Sequence, residues 1–182
     1  MVEQQTKDEK WIFDQSHSSA EFSVRHMMIS NVNGRFDHME GFIIGNPETL
    51  HLAKAEVIIK TASVNTRDEK RDGHLRSEDF FHSEKFPDLK FVSKRVEKLS
   101  GDSYNIYGDL TIRGVTKEVR LKGTLEGVIK DPYGKTRMGI TVEGEINREE
   151  FGLKWNSVLE TGGVMVGNRV KLTVHAEAVR EE

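Results

Sequence analysis

The sequence predicts an all-β protein of about eight antiparallel strands, because apolar and polar residues alternate with a period of two along most of its length. Short turn sequences separate the alternating segments, and helical character is confined to residues 67–79. Many short strands at even spacing are typical of a closed barrel or of a sandwich, since both arrangements protect the edges of a sheet.

The alternation is clearest in four segments, residues 20–26, 119–125, 138–146 and 170–178. Successive side chains on a strand point to opposite faces, so each of these strands has one apolar face and one solvated face. Turn sequences at 33–34, 45–47, 100–102 and 131–134 separate the segments, and 131–134 is the strongest hairpin candidate. The first ten residues are expected to be a frayed or disordered tail, followed by a single domain over residues 11–180.

Composition excludes several classes of function. The net charge of −3 shows no basic excess, which argues against a nucleic-acid partner. The absence of Cys excludes disulfides and thiol nucleophiles. No apolar segment approaches the roughly 20 residues of a membrane-spanning helix, and residues 1–10 lack the apolar h-region expected of a secretory signal. These features predict a protein that does not span a membrane and lies in the cytoplasm.

The segment from residue 71 to residue 81 is the densest cluster of charged, His and aromatic residues. It is expected to leave the sheet, cover one end and return. Asp72 and His74 could pair as a carboxylate and an imidazole of a catalytic corner. Alternatively, Asp72 bonds to backbone near a helix start, while Leu75, Phe80 and Phe81 plug the end of the barrel.

Other candidates for chemistry are weaker. The seven His residues fall in different segments without a pair at helical spacing, which disfavours a metal site. His17 and Ser18 lie outside any nucleophile-elbow motif, which disfavours a hydrolase triad. His26 lies on the apolar face of its strand, either as a core residue or as a group that orients a ligand head group.

Glycines recur on the face expected to point inward, at Gly108, Gly123 and Gly144. They predict strand curvature, a lumen widened by missing side chains, or both.

Several sequence segments together resemble the YceI-like family, the lipocalin-like polyisoprenoid-binding proteins. The matching segments are 14–18, 22–26, 32–36, 41–42, 63–66, 71–81, 86–87, 91–93, 108–116 and 148–153. The ordered set carries the resemblance, because no segment is diagnostic alone. It implies an extended eight-stranded antiparallel, lipocalin-like barrel with a short helix near one end. It supplies no catalytic residues.

The resemblance implies noncatalytic binding, transport or storage of a polyisoprenoid or similar long-chain amphipathic lipid in the lumen. An eight-stranded barrel can hold one small ligand, which agrees with this function. The residues expected to contact the lipid are Phe22, Val24, His26, Phe36, Phe42, Val57, Ile59, Leu75, Phe80, Phe81, Phe91, Ile106, Leu110, Ile112, Leu121, Leu125, Ile140, Val142, Leu172 and Val174.

No metal or cofactor is expected, apart from a bound polyisoprenoid or quinone-like lipid. The alternative function is a lipid-modifying or metal-dependent hydrolytic enzyme that uses His17, His26, Asp72 or His74 at the barrel end. A partner protein or a second copy of the chain could bind an apolar patch on the outer face, so a homodimer is a further prediction.

Overall fold

The structure, a computed structural model, describes residues 7–47 and 51–182, with side chains described for 7–47 and 54–182. Its strands are β1 Glu9–Phe13, β2 Ser19–His26, β3 Ser30–Phe36, β4 Met39–Asn46, β5 His51–Lys60, β6 Val64–Asn65, β7 Asp88–Lys98, β8 Ser103–Ile112, β9 Val115–Lys130, β10 Thr136–Asn147 and β11 Val166–Arg180. Its helix is α1 Glu69–Arg76, and its 3₁₀ turns are Gln15–His17, Thr61–Ser63 and Arg148–Phe151. The helix confirms the helical character predicted for residues 67–79.

These strands form a closed antiparallel barrel. Hydrogen bonds run in the order β1–β4–β5–β7–β8–β9–β10–β11, and pairing of β1 with β11 closes the circuit. β1 and β2 lie one after the other along β11 and together make one wall strand. β3 and β4 make a second, and β5 and β6 make a third, so three of the eight wall strands are interrupted by corners. The predicted all-β, eight-stranded antiparallel barrel is confirmed.

The two ends of the barrel differ. At one end lie the β2–β3 turn, α1, the β8–β9 turn and the β10–β11 connection, and we call it the helix end. At the other lie the β7–β8 and β9–β10 turns and the outer parts of β1 and β11, and we call it the hairpin end. The connections at the two ends therefore differ in composition.

Local sequence explains the hairpin predicted at residues 131–134. The Asp131 carboxylate accepts hydrogen bonds from the backbone N–H groups of Tyr133 and Lys135, both at 2.9 Å. Gly134 has φ 87°, a left-handed conformation that glycine adopts without steric cost. The turn is thus stabilised by its own side chain, as Asp in this position commonly does.

The alternating apolar faces point into the barrel, where they form two clusters of buried residues. The larger cluster lies towards the helix end and includes Phe36, Ile112 and Phe151. The smaller one, around Trp11 and Met138, lies at the hairpin end. Burial of such side chains contributes about 1.5–3 kcal/mol each, and this apolar interior holds the wall together.

Phe42 is a correction to the expected lumen residues, because it lies on the outer face. Met39 and Ile43 are buried, so the period of two places Gly41 inside with them and Phe42 outside. The ring of Phe42 lies beneath the ammonium groups of Lys10 and Lys54, at 5.3 and 5.6 Å from its centroid. Gly41 has no side chain, and this hid the true alternation of β4.

Two of the inward glycines, Gly123 and Gly144, line an apolar cavity inside the barrel. A Cβ on Gly144 would lie 2.3 Å from Leu121 Cδ2, and one on Gly123 would lie 2.7 Å from Ile106 Cδ1. A Cβ on Gly108 would collide with the ring of Phe91, which fills the space beside that glycine. Widening of the lumen stays a prediction at Gly123 and Gly144.

β1 begins at Glu9, inside the stretch expected to be a frayed tail, and residues 1–6 of that stretch lie outside the described residues. Glu9 pairs with Gly45 of β4, which fixes it to the barrel wall. Among the described residues, no helix has the length and apolarity needed to span a bilayer.

Candidate functional site

The barrel lumen contains two apolar cavities placed end to end. The hairpin-end cavity has a volume of about 230 Å³ and the helix-end cavity one of about 210 Å³. Phe36, Leu89, Ile112 and Leu172 contribute to the walls of both. These four side chains therefore mark the place where the two cavities meet.

The strand alternation places most of the predicted lipid-contacting residues on the cavity walls. Those on the hairpin-end cavity are Phe36, Val57, Ile59, Phe91, Ile106, Leu110, Ile112, Leu121, Leu125, Ile140, Val142, Leu172 and Val174. Those on the helix-end cavity are Phe22, Val24, His26, Phe36, Leu75, Phe80, Phe81, Ile112 and Leu172. Phe42 alone among the predicted residues lies on the outer face.

Sequence reasoning missed several wall residues, among them Ile43, Leu89, Tyr104, Met138 and Trp155. Tyr104 could have been found, because it lies two positions before Ile106 on the same strand face. Trp155 follows the Arg148–Phe151 turn in a segment without a regular period, so no sequence pattern pointed to it.

Aromatic side chains close the helix end. The ring of Phe81 packs edge-on against Phe36 with 5.5 Å between centroids. His74 packs edge-on against both Phe80 and Trp155, at 5.1 and 4.8 Å. Leu75 and these rings line the cavity, so the segment after α1 forms one wall of the lumen.

The charged groups of this corner hold the backbone in place. Asp72 is buried and accepts hydrogen bonds from the backbone N–H and the hydroxyl of Thr66, at 2.8 and 2.6 Å. Arg71 in turn donates to the Thr66 hydroxyl and carbonyl, both at 2.8 Å. His74 Nε2 lies 2.8 Å from an Asp79 carboxylate oxygen, so of the two alternatives for Asp72 the structure favours the structural role over a pair with His74. Each side chain has its own nearer partner.

Arg148 is a further buried charge at the helix end, and it lines the cavity with only 3% of its surface exposed. Its guanidinium donates to the carbonyls of Leu153, Trp155, Val166 and Gly167, at 2.6, 2.9, 3.3 and 2.8 Å. Burial lowers the pKa of Arg148. Since its donors are bound to backbone, this residue organises the β10–β11 connection.

His17 lies outside the lumen, in an ionic cluster on the outer wall. The Asp14 carboxylate lies 3.0 Å from His17 Nδ1 and accepts a hydrogen bond from Arg137 at 2.9 Å. Arg137 also donates to Asp131 at 2.7 Å and to Glu177 at 2.9 Å. Asp14, His17 and Glu177 are close enough to share a metal ion, and Arg137 already donates a hydrogen bond to both carboxylates.

The four residues proposed for catalysis do not all lie together. His17 is on the outer wall, and Asp72 is bound to Thr66. His26 and His74 both line the helix-end cavity. Ser18 donates to the carbonyl of Glu177 at 3.3 Å, which ties β2 to β11 and gives this hydroxyl a structural partner.

A closed eight-stranded antiparallel barrel around an apolar lumen is the arrangement of lipocalin-like β-barrel proteins. A family model described as the YceI-like domain matches residues 11–178. The chain belongs to the YceI-like family.

Similar proteins support this assignment. A UPF0312 protein of Staphylococcus aureus strain USA300 is 42% identical over 166 residues, which cover 91% of this chain and 94% of that protein. The crystal structure of a Campylobacter jejuni YCEI protein matches at 34% identity with a TM-score of 0.76, covering 87% of this chain and 90% of that one. A polyisoprenoid binding domain from Saccharophagus degradans shares the fold at 15% identity, with a TM-score of 0.72 and coverage of 94% and 98%.

Proposed function

We propose that this protein is a noncatalytic carrier or store for a long-chain isoprenoid lipid held inside the barrel. The observation that carries the proposal is the pair of apolar cavities that meet at Phe36, Leu89, Ile112 and Leu172. Small movements of these four side chains would join the cavities into one tunnel. The similarity in fold to a polyisoprenoid binding domain supports the choice of lipid class.

The dimensions and energetics suit such a ligand. From Val166 to Ala176, strand β11 runs past both cavities, about 33 Å along the strand. Each buried methylene-sized group contributes about 0.8 kcal/mol. About three isoprene units would therefore offset an association cost of about 10 kcal/mol. Length and apolarity of the tail would then determine selectivity.

The proposal is tested by blocking the lumen with one substitution. Val142 lines the hairpin-end cavity, so Val142→Phe places a ring in the space that the lipid would occupy. We expect at least a tenfold loss of affinity for an all-trans isoprenoid methyl ketone of four isoprene units, measured by displacement of a fluorescent apolar probe. Native mass spectrometry of the wild-type protein purified without added lipid should also show a bound long-chain lipid.

The matched control is Thr141→Phe, which places the same ring one residue away on the opposite face of β10. This variant should bind the ketone with wild-type affinity. Circular dichroism would confirm that both variants are folded. Equal affinities of Val142→Phe and the wild type would contradict binding in the lumen.

Hydrolysis of a lipid is a second candidate, favoured by the presence of both His26 and His74 on the helix-end cavity. The two functions predict different fates for the ligand. A carrier releases its lipid chemically unchanged after extraction, whereas a hydrolase converts an isoprenoid ester into alcohol and acid and loses that activity in His74→Ala. The cytoplasmic location, the homodimer and the lack of a nucleic-acid partner stay predictions.

A further inference from the structure

Tyr104 brings a buried hydroxyl to the apolar wall of the hairpin-end cavity. It lies on β8, two positions before Ile106, and its ring lines the cavity. Only 9% of its surface is exposed. Within the part of the chain that the structure describes, its hydroxyl has no hydrogen-bond partner.

A buried hydroxyl without a partner is uncommon and costs free energy, so it calls for an explanation. Trp11 Nε1 and Ser83 Oγ are also buried without partners among the described residues, but neither side chain lines a cavity. Asp72 and Arg148, which are buried at the helix end, make hydrogen bonds to neighbouring segments of the fold. Tyr104 thus combines an unused donor with a position on the lumen.

The electrostatics of this wall indicate what the hydroxyl would bind. Burial, and secondarily the Asp102 carboxylate, raise the pKa of Tyr104, so its hydroxyl keeps its proton and can donate. Lys90, Glu21 and Glu143 border this cavity, but each lies between two inward residues of its strand, so its charged group is on the outer face. There the Lys90 ammonium is 3.2 Å from a Glu56 carboxylate oxygen. An anionic head group would therefore meet no unpaired cation among these residues.

We propose that Tyr104 determines head-group specificity by donating a hydrogen bond to an uncharged oxygen acceptor of the lipid, such as a ketone or quinone carbonyl. This inference rests on the proposed lipid-binding function. The head group then lies at the hairpin end, and the tail runs past Ile112 towards the helix end. A placed polar group in an apolar pocket fixes the orientation of the ligand in this way.

Tyr104→Phe tests the inference with two probes of equal length. One is the isoprenoid methyl ketone of four isoprene units, and the other is the hydrocarbon in which a methylene replaces its carbonyl. We expect the variant to lose about tenfold in affinity for the ketone and less than twofold for the hydrocarbon. The unloaded variant should unfold at the same temperature as the wild type or higher, because the removed hydroxyl has no partner.

Tyr107→Phe is the matched control on the same strand. The Tyr107 hydroxyl donates to Glu97 at 3.2 Å on the outer face, so both affinities should stay at wild-type values. Equal losses for ketone and hydrocarbon in Tyr104→Phe would overturn head-group recognition and leave lipid binding intact. A lower unfolding temperature of the unloaded variant would also overturn it, since the hydroxyl would then serve the fold. Failure of the wild type to bind either probe would instead refute the proposed function.

Discussion

Asp72 and Arg148 at the helix end of the lumen differ from Tyr104 at the hairpin end in how their polar atoms are used. At the helix end, Asp72 and Arg148 are almost completely buried, and their polar atoms are bonded to the hydroxyl or backbone of neighbouring segments. At the hairpin end, the charged cluster around Arg137 lies on the outer wall, and the buried hydroxyl of Tyr104 has no partner among the described residues.

This difference separates polar groups that hold the fold from a polar group that is free to bind. A satisfied buried charge mainly fixes the backbone around it, because removing it leaves its partners unpaired. An unsatisfied donor contributes nothing to the unloaded fold. Substitutions at the helix end should therefore reduce stability, whereas Tyr104→Phe should change binding and leave stability unchanged.

The largest effect is expected for Arg148→Met. The substitution removes a donor from four backbone carbonyls in a connection that closes the lumen, and the Val166 carbonyl keeps a second donor in the Asn156 side chain. Each unsatisfied buried acceptor costs about 1–3 kcal/mol, so we expect the free energy of unfolding to fall by about 3–5 kcal/mol. Urea unfolding followed by circular dichroism measures this change.

Arg169→Met is the control for this prediction. Arg169 is largely exposed on β11, and its ion pair with Glu145, at 3.1 Å, is a surface one. Such pairs contribute about 0–1 kcal/mol, so this variant should stay close to the wild type. Similar losses in the two variants would show that burial of Arg148 does not matter, and the comparison of the two ends would fail.

A smaller loss is expected for Asp72→Ala. The variant leaves the Thr66 N–H and hydroxyl without the carboxylate that accepts from both. Each unsatisfied buried donor costs about 1–3 kcal/mol, so the free energy of unfolding should fall by about 2–3 kcal/mol. Asp79→Ala, which removes an exposed partner of His74, should cost less than half of this in the same urea experiment. Equal costs would mean that the Thr66 contacts are dispensable.

Much of the fold and of the lumen wall could be predicted from the sequence because strand alternation is a local property. The inward positions of β8, β10 and β11 follow directly from the period of two. Phe42 was misplaced because the inward neighbour, Gly41, has no side chain to mark its face. One glycine of this kind can shift the assigned alternation by one residue, which exchanges the inward and outward faces of a short strand.

The polar interior could not be predicted in the same way. The partners of Arg148 come from Leu153 to Gly167, across a connection without a regular period, so only the folded chain brings them together. Asp72 and His74 do not pair for a related reason. Thr66 donates to the Asp72 carboxylate and Asp79 lies beside the His74 ring, so each side chain has a different partner. Hydrogen-bond choices depend on tertiary distances that spacing in the sequence does not encode.

The smallest expected effect is a pH dependence at the outer wall of the hairpin end. The Asp14 carboxylate raises the pKa of His17, while hydrogen bonds from His17 and Ser16 hold the pKa of Asp14 well below its usual range. Because folding raises the His17 pKa, its stabilising contribution is fully present below about pH 6.5 and is lost as pH rises through the higher folded value. His17→Gln should therefore lower the unfolding temperature at pH 5.5 by on the order of 1 °C and have no effect at pH 9.

In an Asp14→Asn background the same substitution should have no effect at either pH, because the interaction is already absent. An effect of His17→Gln that persisted at pH 9, or that survived in the Asp14→Asn background, would show that the imidazole stabilises the wall by packing rather than by charge.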